Sequence, residues 1–160
     1  MRPVIASLAL LPCLAVSACV LPPDRLAGDQ PPPAVERVDL ERYAGRWFEI
    51  ARYDVSFQRG CEGVTAQYRP RDDGMVQVIN ACRQGGLDGE VDTITGRAKV
   101  VDGSNGAKLK VSFFGPFFFG DYWVIDLAED YSWAVVSEPR GRFLWILSRT
   151  PQMDAAVLAA

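Results

Sequence analysis

The 160-residue chain contains no histidine. That absence excludes Ser-His-Asp and Cys-His catalysis, histidine-ligated haem and most transition-metal sites, because each needs an imidazole that exchanges protons or donates a lone pair near neutral pH. No metal and no other cofactor is expected. An excess of positive charge is missing too: 17 Lys and Arg stand against 20 Asp and Glu, a formal charge of −3. Nothing sequence-wide therefore attracts a phosphate backbone, and nucleic acid is not an expected partner. Long apolar runs are also lacking. The stretch Val4–Leu14 is interrupted by Ser7 and Pro12 and falls short of the ~20 apolar residues that span a bilayer. What the chain does have is 49% hydrophobic residues against 23% charged ones, enough apolar surface for the core of one domain.

The N-terminus reads as a targeting segment. Met1 and Arg2 give a positive start, the apolar run follows, and small residues precede a cysteine in Val16-Ser17-Ala18-Cys19, as a lipoprotein signal requires. On this reading residues 1–18 are a signal peptide, and Cys19 becomes the acylated N-terminus, carrying palmitate-type chains. The alternative is an ordinary secretory signal with an incidental cysteine. Several acyl chains give stable anchoring where one gives only marginal binding. The residue after Cys19 is Val20, not aspartate, and the resemblance of this segment to bacterial lipoprotein signals implies transport onward to the outer membrane. Residues 19–39, with Pro22-Pro23 and Pro31-Pro32-Pro33, form an extended tether. The folded domain is placed at 40–160.

From Tyr43 onward, short β-branched and aromatic runs alternate with turn signals, the pattern of an all-β barrel or sandwich. Strands are expected near Trp47–Tyr53, Val64–Arg69, Met75–Ala81, Thr93–Val100, Lys108–Phe113, Tyr122–Leu127, Trp133–Ser137 and Phe143–Arg149. Eight strands is a number that closes, and closure removes exposed edges while leaving room for one small ligand. Lys108, Lys110 and Ser112 opposite Leu109, Val111 and Phe113 mark a strand wet on one side. The first and last strands are apolar on both faces: Phe48, Ile50, Leu144 and Ile146 face away from the interior. The tail from Met153 to Ala160, rich in helix formers, is the candidate cover. Acidic pairs such as Asp72-Asp73 and Glu129-Asp130 fall in turns and read as solvated.

Cysteine arithmetic leaves one pair. With Cys13 in the signal and Cys19 acylated, Cys61 and Cys82 remain. A hairpin turning at Arg71–Gly74 brings them nearly opposite each other at the far end, where a disulfide fits within a residue or so of register. The alternative is a free, nucleophilic cysteine, disfavoured because no histidine exists to activate it.

Gly45-Arg46-Trp47, followed by Phe48-Glu49-Ile50-Ala51-Arg52-Tyr53, resembles the opening Gly-x-Trp motif of the lipocalins, and Leu144-Trp145-Ile146-Leu147-Ser148-Arg149-Thr150-Pro151 resembles their closing motif. Leu109–Phe117 and Gly120–Ile125 are similar to the bacterial outer-membrane, apolipoprotein D-like branch of that family. The resemblance covers Leu40 to Pro151. It implies an eight-stranded antiparallel up-and-down calyx with a short C-terminal helix. Gly45, Trp47 and Arg149 would close one end, with the guanidinium across the indole. The loops Asp54–Gly60, Arg83–Glu90, Gly115–Gly120 and Glu138–Arg142 would surround the mouth. Phe117, Phe118 and Phe119 would then form a lipid-contacting lip or dimer patch, or fold inward as core.

Alternation from the two motifs points Glu49, Ala51, Tyr53, Val76, Val78, Ala98, Val100, Val111, Phe113 and Trp145 into the calyx, with Asn80 and Tyr122 as polar contacts for a head group. A bulge would reverse this for its strand. The resemblance implies a non-enzymatic, lipid-anchored protein that stores or transports a fatty acid or lysophospholipid in the envelope. Two alternatives stand beside it: a module binding a protein partner through its aromatic mouth, and an isomerase using a calyx thiol. The lipocalins also carry a longer terminal helix than Met153–Ala160 supplies, so a homodimer covering the exposed strands is a further expectation.

Overall fold

The computed structural model describes residues 31–158. The signal and Cys19 lie outside them. Strands β1 (Gly45–Arg52), β2 (Cys61–Pro70), β3 (Val76–Gln84), β4 (Val91–Val100), β5 (Lys108–Ser112), β6 (Gly120–Leu127), β7 (Trp133–Ser137) and β8 (Leu144–Ser148) form a closed barrel in sequence order. Every neighbouring pair is antiparallel, including β8 with β1. The turn joining β2 to β3 shows why closure is local. Asp73 accepts the Met75 amide at 3.1 Å and pairs with Arg71, while the Arg71 and Gly74 amides complete the backbone bonds. Side-chain capping of this kind fixes the turn and, with it, the β2–β3 register.

Directly opposed residues share a face, so the pairing rows define the interior. One row runs Trp47, Ala66, Asn80, Ile94; another Gly45, Tyr68, Val78, Gly96; a third Val76, Ala98, Val111, Gly120. On the other side of β1 the rows are Glu49, Leu147, Ala134, Leu127 and Arg52, Trp145, Val136, Val124. The core occupies the end that holds Trp47, Tyr68, Val78, Leu109, Val124, Val136 and Leu147, all buried.

One element was not anticipated and three sequence expectations need correction. First, a short helix α1 (Leu40–Tyr43) precedes β1; Asp39 caps it by accepting the Glu41 and Arg42 amides, a recognised N-cap. Second, the folded part begins before residue 40. Val35 donates to Val124 and Val38 to Asn105 across the lower barrel, and Val38 is buried. Third, β2 starts at Cys61 rather than Val64, and Cys82 lies within β3. Fourth, the tail helix α2 (Ala155–Leu158) covers nothing: all four residues are exposed. One turn of helix presents too little apolar face to offset the cost of nucleation. Phe48, Ile50, Leu144 and Ile146 are only half-buried.

Candidate ligand-binding site

At the closed end the Arg149 guanidinium lies 3.8 Å from the Trp47 ring centre. Its three nitrogens donate to backbone carbonyls of Arg42, Arg46 and Tyr131 at 2.6, 3.0 and 3.2 Å, so one side chain ties α1, β1 and the β6–β7 turn together. Partial burial holds its pKa below the usual arginine range. Gly45 makes this approach possible. Its φ is +96°, and a Cβ there would stand 3.3 Å from an Arg149 terminal nitrogen. The Trp47 indole N–H donates to the Tyr43 carbonyl at 2.8 Å.

Above this plug sit three interior tyrosines. The Tyr68 hydroxyl donates to Tyr122 at 3.0 Å, and the Tyr43 and Tyr122 hydroxyls are 2.7 Å apart. Burial is the main force on all three phenols: Tyr68 is pushed up to about 12, Tyr43 and Tyr122 well above the ordinary value. They stay neutral, with Tyr122 accepting from Tyr68 and one proton shared between Tyr43 and Tyr122. The expectation for Tyr122 named it alone; Tyr43 and Tyr68 were missed, although Asp39 before an apolar turn signals the helix that carries Tyr43.

Toward the other end the interior wall opens. Ile94 faces inward yet is 38% exposed; Ala66, Asn80, Phe113 and Trp145 on the same face are half-buried. Asn80 Oδ1 is buried without a hydrogen-bond partner, an acceptor that water or a ligand donor would satisfy. Phe113 packs where β4 carries Gly96; a Cβ on Gly96 would fall 2.6 Å from the ring. Val76, Val78, Ala98, Val100, Val111 and Phe113 are therefore on the interior side, as alternation requires.

The β1 residues depart from that alternation. A register shift between Glu49 and Ala51 adds a residue to β1 opposite β8, and the phase reverses beyond it. Glu49 stays inside. Ala51 turns outward beside Ile146 and is exposed, and Tyr53, in phase with it, lies past the end of β1. Arg52 takes the interior position beside Trp145. There its Nη1 pairs with Glu49 at 2.7 Å, and Nη2 makes longer bonds to the Gln58 and Cys61 carbonyls at 3.4 and 3.2 Å. Gln58 joins both sides of the network, donating to Glu49 at 2.8 Å and accepting from the Trp145 indole at 2.9 Å. Neither Arg52 nor Gln58 was anticipated. No glycine or proline marks the bulge.

Cys61 and Cys82 form a disulfide at this open end, with Cα atoms 5.3 Å apart and Val64 packed against them. Both thiols are consumed, which removes the free nucleophile that the isomerase alternative required. The loop after β5 answers the question left open about its phenylalanines. Phe117 is 62% and Phe119 82% exposed, stacked at 5.6 Å, while Phe118 is half-buried beneath Arg97 and Lys99. None of the three fills the calyx. Two shallow surface depressions lie away from it, along the seam where Ala34–Glu41 cross the β4–β5 turn.

A model of the lipocalin-like domain matches residues 38–160. The chain belongs to the lipocalin family. Members of this family bind and transport small hydrophobic molecules in such a calyx. Among similar relatives, the Outer membrane lipoprotein Blc of Vibrio cholerae is 46% identical over 125 residues, covering 78% of this chain and 72% of the relative. The protein of the same name from Escherichia coli K12 is 42% identical over 151 residues, covering 92% and 84%. Among solved structures, insecticyanin from the tobacco hornworm Manduca sexta superimposes with a TM-score of 0.63 at 20% identity, covering 79% and 71%, a likeness of fold. Gly45 and Trp47 of the opening motif and Arg149 of the closing motif meet at the closed end of this lipocalin barrel.

Proposed function

We propose that this lipocalin is a lipid-anchored carrier that stores or transfers a single-chain anionic amphiphile, a fatty acid or lysophospholipid, at the bacterial outer membrane, without catalysing a reaction. The observation that carries the proposal is the β1 bulge, which brings Arg52 to the interior beside Trp145 at the top of an apolar wall. The guanidinium spends its strong bond on Glu49, but its two bonds from Nη2 are long, so an entering carboxylate or phosphate gains a charge-assisted partner there. The alkyl chain then runs down past Ala66, Asn80, Ile94 and Phe113 toward the tyrosines. About a dozen buried methylenes offer ~10 kcal/mol at ~0.8 each before the losses of immobilisation.

Membrane placement rests on Cys19 as the acylated residue, on the signal pattern before it, and on relatives that bear the name Outer membrane lipoprotein. Glu49, Val76, Val78, Asn80, Ala98, Val111, Phe113, Tyr122 and Trp145 are the proposed calyx contacts; Ala51 and Tyr53 leave the set and Arg52 enters it.

The test compares charged and uncharged ligands. Removing Arg52 alone would strand the buried Glu49 carboxylate, so the variant is Glu49→Gln with Arg52→Gln. It is expected to lose about tenfold or more in affinity for palmitate and to keep its affinity for uncharged monopalmitoylglycerol, both read by tryptophan fluorescence. Equal loss for both ligands would refute the head-group role. Failure of the unsubstituted protein to bind either would refute the carrier itself. Mass spectrometry of lipid co-purified with the protein identifies the natural cargo.

A further inference from the structure

We infer that the calyx rim is a bilayer-docking surface, through which the amphiphile passes between the barrel and the leaflet without crossing water. Five large apolar side chains project from loops at this one end. Phe57, Leu87, Phe114, Phe117 and Phe119 are 65, 69, 79, 62 and 82% exposed. They come from three separate mouth loops, so the exposure belongs to the rim as a whole.

The β5–β6 loop is built to hold its rings outward. Ser112 Oγ donates to the Phe114 and Gly115 carbonyls at 3.3 Å, and Arg97 Nη2 donates to the Gly115 carbonyl at 3.0 Å. Phe118 is held on the outer wall, 5.3 Å from the Arg97 guanidinium carbon and 4.9 Å from the Lys99 ammonium. With the backbone and the middle ring fixed, Phe117 and Phe119 stand as a stacked pair. Ordering costs that a mobile loop would incur on insertion are already met. Across the mouth, Phe57 leans edge-on against Phe143 at 5.8 Å, giving a second supported wedge.

Three observations favour lipid over a protein partner or a second copy. The rings are convex tips around the opening rather than a groove that receives a complementary ridge. The exposed charges of the mouth loops nearly cancel, Arg59, Arg83, Arg140 and Arg142 against Asp54, Asp88 and Glu90, so no strong charge of one sign selects a partner there, and apolar insertion dominates. The chain outside the structure has the required reach. The described part begins at Pro31 and packs at the closed end, and about a dozen residues separate it from Cys19. A chain of that length has a maximum reach of ~40 Å. A ten-residue strand tilted in a barrel rises only ~25 Å. The length therefore suffices for the anchor to return to the mouth end, where the rim can meet the leaflet that holds it.

The inference relies on the envelope location proposed above but is measured apart from it. The mature chain from Cys19, carrying Cys19→Ser to remove the acyl group, is floated with vesicles of phosphatidylethanolamine and phosphatidylglycerol. It is expected to float. Phe117→Ser with Phe119→Ser is expected to lower vesicle partitioning at least about tenfold, and Leu87→Ser by a smaller factor; added salt is expected to change it less than about twofold. Palmitate binding in vesicle-free solution should persist in both variants, which separates loss of docking from loss of the carrier site. Docking is overturned if the Cys19→Ser chain stays unbound, if the double variant floats equally well, or if sedimentation instead reveals a dimer that the double variant abolishes.

Discussion

Arg149 illustrates how one side chain can hold a fold shut. A planar fork suits it for three divergent carbonyls and for the indole face at once, where a lysine offers one charge and no plane. Arg149→Lys is therefore expected to lower stability by about 1–3 kcal/mol, seen as a lower urea midpoint with an unchanged slope and with ligand affinity retained. The interior tyrosines give the residue scale a pH signature. Tyr68 ionises at about 12 in the folded barrel and near its ordinary ~10 when unfolded. Its contribution is fully present below pH ~10; above that the unfolded chain releases protons the native state keeps, and stability falls until pH ~12. The loss from Tyr68 alone is on the order of 2–3 kcal/mol. Tyr43 and Tyr122 shift in the same direction. Alkaline titration followed at tyrosinate wavelengths should show the absorbance of these three emerging only together with unfolding, monitored by circular dichroism. Early, reversible ionisation of all five tyrosines in a folded barrel would contradict it.

Among elements, the hairpins were the most readable part of the chain, because Arg71-Asp72-Asp73-Gly74 and the run from Asp102 to Gly106 carry their turn chemistry locally. The disulfide followed from that hairpin. A bridge between positions 21 apart restricts the unfolded chain, so Cys61→Ser with Cys82→Ser should cost about 3 kcal/mol in the chain-entropy account, measurable by urea unfolding; an unchanged midpoint would show that the open end is held by other contacts. The bulge in β1 was not readable. Phe48, Ile50 and Ala51 are acceptable on either face of a strand, so composition could not say which residue would be doubled, and the inward list failed for Ala51 and Tyr53 while missing Arg52. Helix α1 was missed because four residues give no periodicity to detect. The apolar tail misled for the opposite reason: good helix formers predict a helix, but say nothing about whether it reaches a partner.

At the scale of the whole molecule the two ends differ, and the difference dictates where a ligand can report its presence. The lower end is filled by Trp47, fully buried beneath Arg149, and by the tyrosines; the upper end is half-open and contains Trp145, whose indole N–H is engaged by Gln58. The other two tryptophans face outward. Trp133 shares a row with Ser148 and Phe48, and Trp123 lies 3.8 Å beneath the Lys108 ammonium on the outer wall. Of the four, only Trp145 stands on the route from mouth to floor. Ligand-induced fluorescence change should therefore vanish in Trp145→Phe and persist in Trp123→Phe and Trp133→Phe, with calorimetry verifying that all three still bind. A persistent signal in Trp145→Phe would move the cargo elsewhere, because an alkyl chain entering past the Arg52–Glu49 pair cannot avoid the indole beside it.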